Sequence, residues 1–154
     1  MKTTFSNLIY AVTTALLLTA CSSKEPVLAP EQLYNAGSDK VICSFINDKA
    51  GTISIIYGNE QALKSSSNGG TLHYPGERYT LVTWKQKPMP HWYGTDMNGT
   101  ILSVERVEVQ KDGRGALSFI YSQQRGHNTA APGKNADKEK RISFITSQLA
   151  AVFP

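Results

Sequence analysis

Short segments in which apolar and polar residues alternate fill most of the chain between residues 41 and 121. A period of two predicts β-strands that bury one face. The predicted strands cover residues 41–46, 52–57, 78–86, 101–110 and 117–121. Turn-forming residues separate them, and Asp112-Gly113 is the clearest hairpin signal. The pattern therefore predicts a small antiparallel sheet of about five strands.

Helical patterns flank this β-rich region. Pro30 suits the first position of a helix and Gly37 its end, which predicts a short helix over residues 30–37. A second helix is predicted near the C-terminus, beginning at Asn135 or Asp137 and ending near Pro154. Its apolar residues recur at helical spacing: Ile142, Ile145, Leu149 and Val152.

The expected fold class is α+β, with a small antiparallel sheet or barrel-like sandwich of about five strands and a C-terminal helix. The alternative is an all-β barrel in which the last segment forms a strand. The apolar phase shifts between Leu102/Val104 and Val107/Val109, which predicts a β-bulge there. Residues 65–70 are expected to form a flexible loop, and residues 125–140 a long, mobile one.

The first twenty residues have the pattern of a secretory signal. Lys2 supplies a positive charge, and residues 8–18 are apolar apart from Thr13 and Thr14. This apolar stretch is too short to span a bilayer comfortably. The pattern predicts a cleaved signal peptide over residues 1–20, with an uncleaved membrane anchor as the alternative.

The end of that signal resembles the lipobox of bacterial lipoproteins. Leu18 and the small residues Thr19 and Ala20 precede Cys21. The resemblance implies that Cys21 becomes the first mature residue and carries acyl chains such as palmitate, and several chains give stable anchoring. Ser22, rather than aspartate, follows the cysteine. The same resemblance then implies the outer membrane, with the domain on the periplasmic face.

The mature chain is expected to consist of a tether and one domain. Residues 21–30 hold the lipidated cysteine and a polar, proline-bearing tether, of which residues 22–30 span at most about 30 Å. A single globular domain follows over residues 31–154. Losing Lys2 leaves 15 of the 16 basic residues against 12 acidic ones, a net charge of +3. These basic residues are not concentrated on one element, so no nucleic-acid partner is expected.

No motif in the sequence predicts catalysis, and we expect neither a metal nor another cofactor. His73, His91 and His127 lack metal-ligand spacing. No Gly-x-Ser-x-Gly elbow surrounds a serine. Glu105 and Glu108 are expected on opposite faces of a strand, as outward edge charges. Cys43 lies in an apolar strand and is expected to be a small buried residue, with intermolecular pairing as the alternative.

Residues 84–93 form the most unusual segment, and they are the candidate binding loop. Pro88 and Pro90 are expected to end a strand and stiffen the loop. Tryptophan and tyrosine on a stiff loop give a large contact area at a low entropy cost. The alternative is that both tryptophans cover the core. The candidate binding residues are Trp84, Lys85, Lys87, His91, Trp92 and Tyr93.

Residues 41–86, about 46 of 154 residues, resemble part of the membrane-bound inhibitors of c-type lysozyme, which are small β-barrel lipoproteins. The matching positions are Cys43, Tyr57, residues 70–74, and Trp84-Lys85. The motif serine of that family is not at its place, and the second cysteine of its disulfide is absent. The resemblance implies lysozyme inhibition, although a mature charge of +3 would repel a basic lysozyme.

The expected function is therefore a lipid-anchored envelope protein that acts by binding and not as an enzyme. An accessory or pilot lipoprotein of an envelope complex is one such protein, and the apolar stripe of the C-terminal helix would then be its docking element. The alternative is a lysozyme inhibitor. A third possibility is a module that contacts peptidoglycan through residues 84–93.

Overall fold

The computed structural model describes residues 32–89, 94–125 and 135–151. Its strands are β1 (Lys40–Asn47), β2 (Thr52–Gly58), β3 (Arg78–Pro88), β4 (Asp96–Lys111) and β5 (Leu117–Arg125). Its helices are α1 (Glu60–Ser67) and α2 (Asn135–Thr146). Within these ranges, no helix is long and apolar enough to cross a membrane.

The five strands pair in chain order as an antiparallel meander. This confirms the predicted five-stranded sheet with a C-terminal helix. The barrel-like alternative is wrong, because in the described part of the chain β1 pairs only with β2 and β5 only with β4. The all-β alternative is also wrong, because the segment of α2 is helical.

One face of the sheet packs against both helices, and we call it the helical face. α1 contacts β1, β2 and β3, while α2 contacts β3, β4 and β5. The buried residues of this core are Ile42, Cys43, Ile56, Ala62, Tyr79, Leu81, Val107, Val109 and Ile145.

The register of β3 and β4 corrects the predicted bulge. Ser103 pairs with Thr83 and Ile101 with Trp84, so Leu102 is the extra residue of a bulge. From Ser103 onward the pairing continues without a shift, so a bulge between Val104 and Val107 is wrong. These two valines lie on opposite faces of a regular strand. The apparent change of phase arises because both faces of the sheet carry apolar residues.

Helix α1 was expected to be partly loop, since residues 65–67 lie in the predicted flexible segment. Asn59 caps the helix, because its Oδ1 accepts a hydrogen bond from the Ala62 N–H at 3.0 Å. Glu60 lies in the first turn, where it interacts favourably with the helix dipole. A serine-rich end hid this helix, but its buried Ala62 and Ser65 pack against the sheet.

The two predicted terminal helices have different outcomes. Residues 32–37, the described part of the first, are not helical, so that prediction is wrong. The second helix begins at Asn135 as predicted, but it ends at Thr146, and Leu149 lies exposed beyond it. Residues 135–140 are helical and not loop; residues 126–134 and Val152 lie outside the described residues.

Gly58 provides a test of how closely α1 packs on the sheet. An added Cβ would lie 2.9 Å from Ala62 Cβ and 2.5 Å from Ile42 Cδ1. We expect Gly58→Ala to lower the free energy of unfolding by about 1–3 kcal/mol through overpacking, measured by urea denaturation. Gly113→Ala is the control, because its Cβ would meet no atom within 4 Å. Equal losses for the two variants would contradict this packing.

Candidate functional site

A buried carboxylate, Glu77, lies just before β3 and is surrounded by hydrogen-bond donors. Its Oε1 accepts from the Ser65 hydroxyl at 2.5 Å and from the Tyr74 N–H at 2.6 Å. Its Oε2 accepts from the Tyr79 hydroxyl at 3.0 Å and lies 2.9 Å from His73 Nδ1. We call these five residues the Glu77 cluster. A buried carboxylate is stable only with partners of this kind.

The Glu77 cluster fixes the loop of residues 70–76, which leads from α1 to β3 and which we call the projecting loop. At one end of the loop, the Gly70 N–H donates to the Ser65 carbonyl at 3.0 Å. At the other end, the Gly76 N–H donates to the Val109 carbonyl at 2.7 Å. The Gly76 carbonyl accepts from Asn59 Nδ2 at 2.8 Å. The loop backbone is thus held at both ends, and the Glu77 cluster holds it in the middle.

Two apolar side chains of the projecting loop point into solvent. Leu72 is 69% exposed and Tyr74 is 58% exposed. His73, between them, points inward, and its ring lies edge-on to Phe119 at 5.5 Å between centroids. A fixed loop loses little entropy when its exposed aromatic and aliphatic side chains bind a partner. The projecting loop is therefore the candidate binding surface of the described residues.

The Glu77 cluster has the chemistry of a structural support. The Ser65 hydroxyl donates to the carboxylate, and both residues are buried. Burial, and then the negative charge of Glu77, raise the pKa of Tyr79, so its phenol remains a protonated donor. The nearby Ser66 hydroxyl acts in the opposite direction and lowers the pKa of Tyr79. The Ser66 oxygen is buried and makes no hydrogen bond of good geometry. In the described ranges, no group of three or more His, Cys, Asp or Glu is placed to hold a metal ion.

A second buried carboxylate, Glu105, attaches α2 to the sheet. Arg141 Nε and Nη2 donate to its two oxygens at 2.9 and 2.8 Å, and the Tyr121 hydroxyl donates at 2.7 Å. The hydrogen bond to Glu105 raises the pKa of Arg141, whose guanidinium also lies over the Phe144 ring. Glu105 is therefore an inward charge, and its predicted place on an outward edge is wrong. The buried Ile145 belongs to the core, so it is not available as a docking residue.

The described members of the predicted binding loop lie on a strand, β3. Trp84 lies within β3 with a buried indole, and the strand continues to Pro88, which pairs with Asp96. Lys85 and Lys87 follow on the same strand and are exposed and half-buried, respectively. Three predicted residues lie outside the described ranges: His91, Trp92 and Tyr93.

Trp84 holds the segment that enters the domain. Its Nε1 donates to the Gln32 carbonyl at 2.7 Å, and Gln32 Oε1 accepts from the Ile101 N–H at 3.1 Å. Tyr34 then packs against Tyr57, with 5.6 Å between ring centroids, and its hydroxyl accepts from Arg106 at 3.4 Å. Residues 32–34 thus cross the second face of the sheet, opposite the helical face. These contacts use the Gln32 carbonyl and the side chains of Gln32 and Tyr34, in the segment that was predicted to be a helix.

The sequence interpretation missed the projecting loop and the carboxylate that supports it. Glycines at positions 69, 70 and 76 mark this segment as a turn region. The useful signal was Leu72 and Tyr74 on either side of His73, because two large apolar residues are unusual in such a region. Nothing in the sequence distinguishes Glu77 from an exposed glutamate.

Comparison with known proteins does not place the chain in a family. No family model matches the sequence, and no curated protein matches it. The functional proposal therefore rests on the sequence and on the contacts of its own residues.

Replacing Glu77 tests whether it fixes the projecting loop. In Glu77→Gln a side-chain NH2 group, itself a donor, replaces one acceptor oxygen and faces the donors of the Glu77 cluster. We therefore expect the free energy of unfolding to fall by about 2–3 kcal/mol. Amide hydrogen exchange at Tyr74 and Gly76 is expected to accelerate more than exchange in β3. Glu60→Gln, on the exposed side of α1, is the control. Unchanged exchange in the loop would show that Glu77 does not hold it.

The reactivity of Cys43 tests the burial of β1. Desolvation raises the pKa of its thiol from 9.0 to about 11. In a Cys21→Ser chain it is the only thiol, and we expect slow alkylation by iodoacetamide in the folded protein and rapid alkylation in urea. The stability that this thiol contributes is present below pH 9.0, and it is lost as the pH rises through about 11, because the unfolded chain ionises first. Rapid alkylation of the folded chain would contradict this.

Proposed function

We propose that the chain is a non-catalytic, lipid-anchored protein of the bacterial cell envelope that acts by binding another protein. The observation that carries the anchor is Leu18-Thr19-Ala20-Cys21 at the end of an apolar segment. Acyl chains on Cys21 would hold the mature protein at the membrane surface. Ser22 supports placement at the outer membrane, with the domain on its periplasmic face.

The projecting loop supports binding as the activity. Leu72 and Tyr74 are presented on a backbone that the Glu77 cluster already holds, so a partner need not order it. An exposed leucine beside a tyrosine suits an apolar groove on a protein better than a polysaccharide. The glycan-binding alternative loses Trp84, since its indole is buried. A partner within an envelope complex would give the chain the role of an accessory lipoprotein.

One observation supports lysozyme inhibition as the second candidate. The segment that resembles the motif of the membrane-bound inhibitors, residues 70–74, lies in the projecting loop and includes the exposed Tyr74. The net charge of +3 in the mature chain opposes association with a basic enzyme. Lysozyme is therefore the first defined protein to test against this surface.

Fatty-acid labelling tests the anchor. Cells that express the chain are fed an alkyne analogue of palmitate, and the purified protein is examined for label. We expect label on the wild type and on Cys43→Ser, and none on Cys21→Ser, because only Cys21 ends the lipobox. Label that survives Cys21→Ser would contradict the lipoprotein proposal.

Photo-crosslinking in living cells tests the projecting loop. A benzoylphenylalanine at position 74 is expected to form one discrete adduct with an envelope protein. The same group at position 120, also an exposed apolar site on β5, should form none. Leu72→Ser should reduce the adduct about tenfold, as for a binding hot spot. Adducts of equal yield from positions 74 and 120 would contradict a specific binding surface. Lysozyme inhibition is measured separately. Inhibition by the wild type that is lost in Tyr74→Ser would identify the second candidate function.

A further inference from the structure

Strand β1 lies at an edge of the sheet, and the chain itself occupies only part of its outer side. The Ile42 carbonyl accepts a hydrogen bond from the Ala151 N–H at 2.7 Å, so the segment after α2 lies against the edge at this point. At the other end of β1, Asn47 pairs with Thr52, and the chain turns into β2. Among the described residues, none pairs with the outer side of residues 43–47, which lie between these two points.

The register of the sheet shows which backbone groups of β1 face outward. At the two ends of β2, the Gly51 carbonyl accepts from β3 and the Asn59 N–H donates to it. The odd-numbered residues of β2 therefore face β3, and the even-numbered ones face β1. These even-numbered residues pair with the odd-numbered members of residues 43–47. The N–H and C=O groups of Ser44 and Ile46 therefore point away from the sheet.

This stretch of edge lacks the features that usually prevent strands from pairing. The side chain of Ser44 is exposed, and that of Ile46 is 69% exposed. Residues 43–47 contain no charged residue and no proline. The β-bulge of β1 lies before them, at Ile42. Native edge strands are commonly protected by charge, proline or a bulge, and an unprotected edge is a template for pairing with another chain.

A second copy of β1 fits this edge in antiparallel register, with a two-fold axis at Phe45. Ser44 of each copy then lies opposite Ile46 of the other, and these are the residues whose backbone groups point outward. Each such pair exchanges both of its N–H···O bonds. The free stretch also has the same limits in both copies, because the Ala151 contact bounds it at one end and the turn bounds it at the other.

The side chains suit the same register. Phe45 would lie opposite Phe45 of the second copy as a non-hydrogen-bonded pair, in which side chains approach closely. The Phe45 ring already lies 5.5 Å from that of Phe144, which is 38% exposed. Aromatic rings from both copies would therefore meet on the helical face, and aromatic cross-strand pairs stabilise sheets. On the second face, the two exposed Ile46 side chains would be diagonal neighbours.

The charges at the ends of β1 favour antiparallel over parallel pairing. Lys40 is exposed at the start of the strand, while Asp48 and Lys49 begin the turn at its end. A parallel, in-register pair would place Lys40 beside Lys40 of the second copy, and like charges at such positions are destabilising. Antiparallel pairing instead brings Lys40 toward the turn of the other copy, which carries charges of both signs.

From these features we infer that the chain forms a two-fold dimer through residues 43–47 of β1. The two five-stranded sheets then join into one continuous sheet, with both helical faces on the same side. The projecting loops lie at opposite ends of that sheet, because each lies at the end where its own β1 begins. The inference depends neither on the proposed lipid anchor nor on the proposed binding partner.

Analytical ultracentrifugation tests the dimer in the mature chain, residues 21–154, with Cys21→Ser to prevent acylation. A reductant is present, so that Cys43 cannot link two copies. We expect a dimer that dissociates on dilution. Ile46→Lys is expected to raise its Kd at least about tenfold, because a charge on the edge opposes pairing. Ile120→Lys is the matched control, because it changes another exposed isoleucine of the second face, on β5, and it should leave the Kd unchanged.

Photo-crosslinking tests the register. A benzoylphenylalanine at position 45 keeps an aromatic ring at the two-fold axis. Irradiation of the purified chain is expected to give a covalent dimer, and mass spectrometry should place the crosslink between residues 43–47 of the two copies. The same group at position 120 should give no covalent dimer.

The remaining outcomes overturn the inference. A chain that stays monomeric up to about 100 µM does so, as does a dimer whose Kd is unaffected by Ile46→Lys. A crosslink from position 45 to a segment other than β1 shows a different interface. A crosslink in cells to another protein, and not to a second copy, shows that β1 receives a strand of that protein. The proposed function is tested separately, by fatty-acid labelling and by crosslinking at position 74.

Discussion

An open sheet with apolar residues on both faces must be covered on both, and this constraint organises the molecule. The two helices cover the helical face, where Ile56, Leu81 and Val107 are buried. The second face carries Val82 and Trp84, which are also buried. Residues 32–34 run across that face and are held by the Trp84 indole. Residues 32–34 are therefore part of the packed structure of the domain.

The two buried carboxylates perform a related task on the helical face. Removing an ion from water costs free energy, so each carboxylate requires a full set of donors. Glu105 obtains them from Arg141 and Tyr121, which fixes α2 against the sheet. Glu77 obtains them from α1, the projecting loop and β3. Each buried carboxylate thereby helps to fix the position of a helix against the sheet.

The sequence pattern was sufficient for the strands, because turn residues and alternation are local properties. The Asp112-Gly113 hairpin was predicted correctly for this reason, and α2 begins at Asn135, one of its two predicted starts. The errors arose where a distant partner decides the structure. Pro30 and Gly37 have helical preferences, but the bonds from Gln32 to Trp84 and Ile101 outweigh them. Glu105 looked like a surface charge, because Arg141 lies 36 residues away in sequence.

The candidate site was harder to predict than the fold, since it depends on which apolar residues the core leaves unused. The sequence suggested that Trp84 and Ile145 were available for binding, but both side chains are buried against the sheet. Leu72 and Tyr74 are among the large apolar residues that stay exposed, and they lie at the end of the sheet where β3 begins. The candidate surface therefore consists of residues that the core does not use, and a local sequence pattern does not reveal which residues those are.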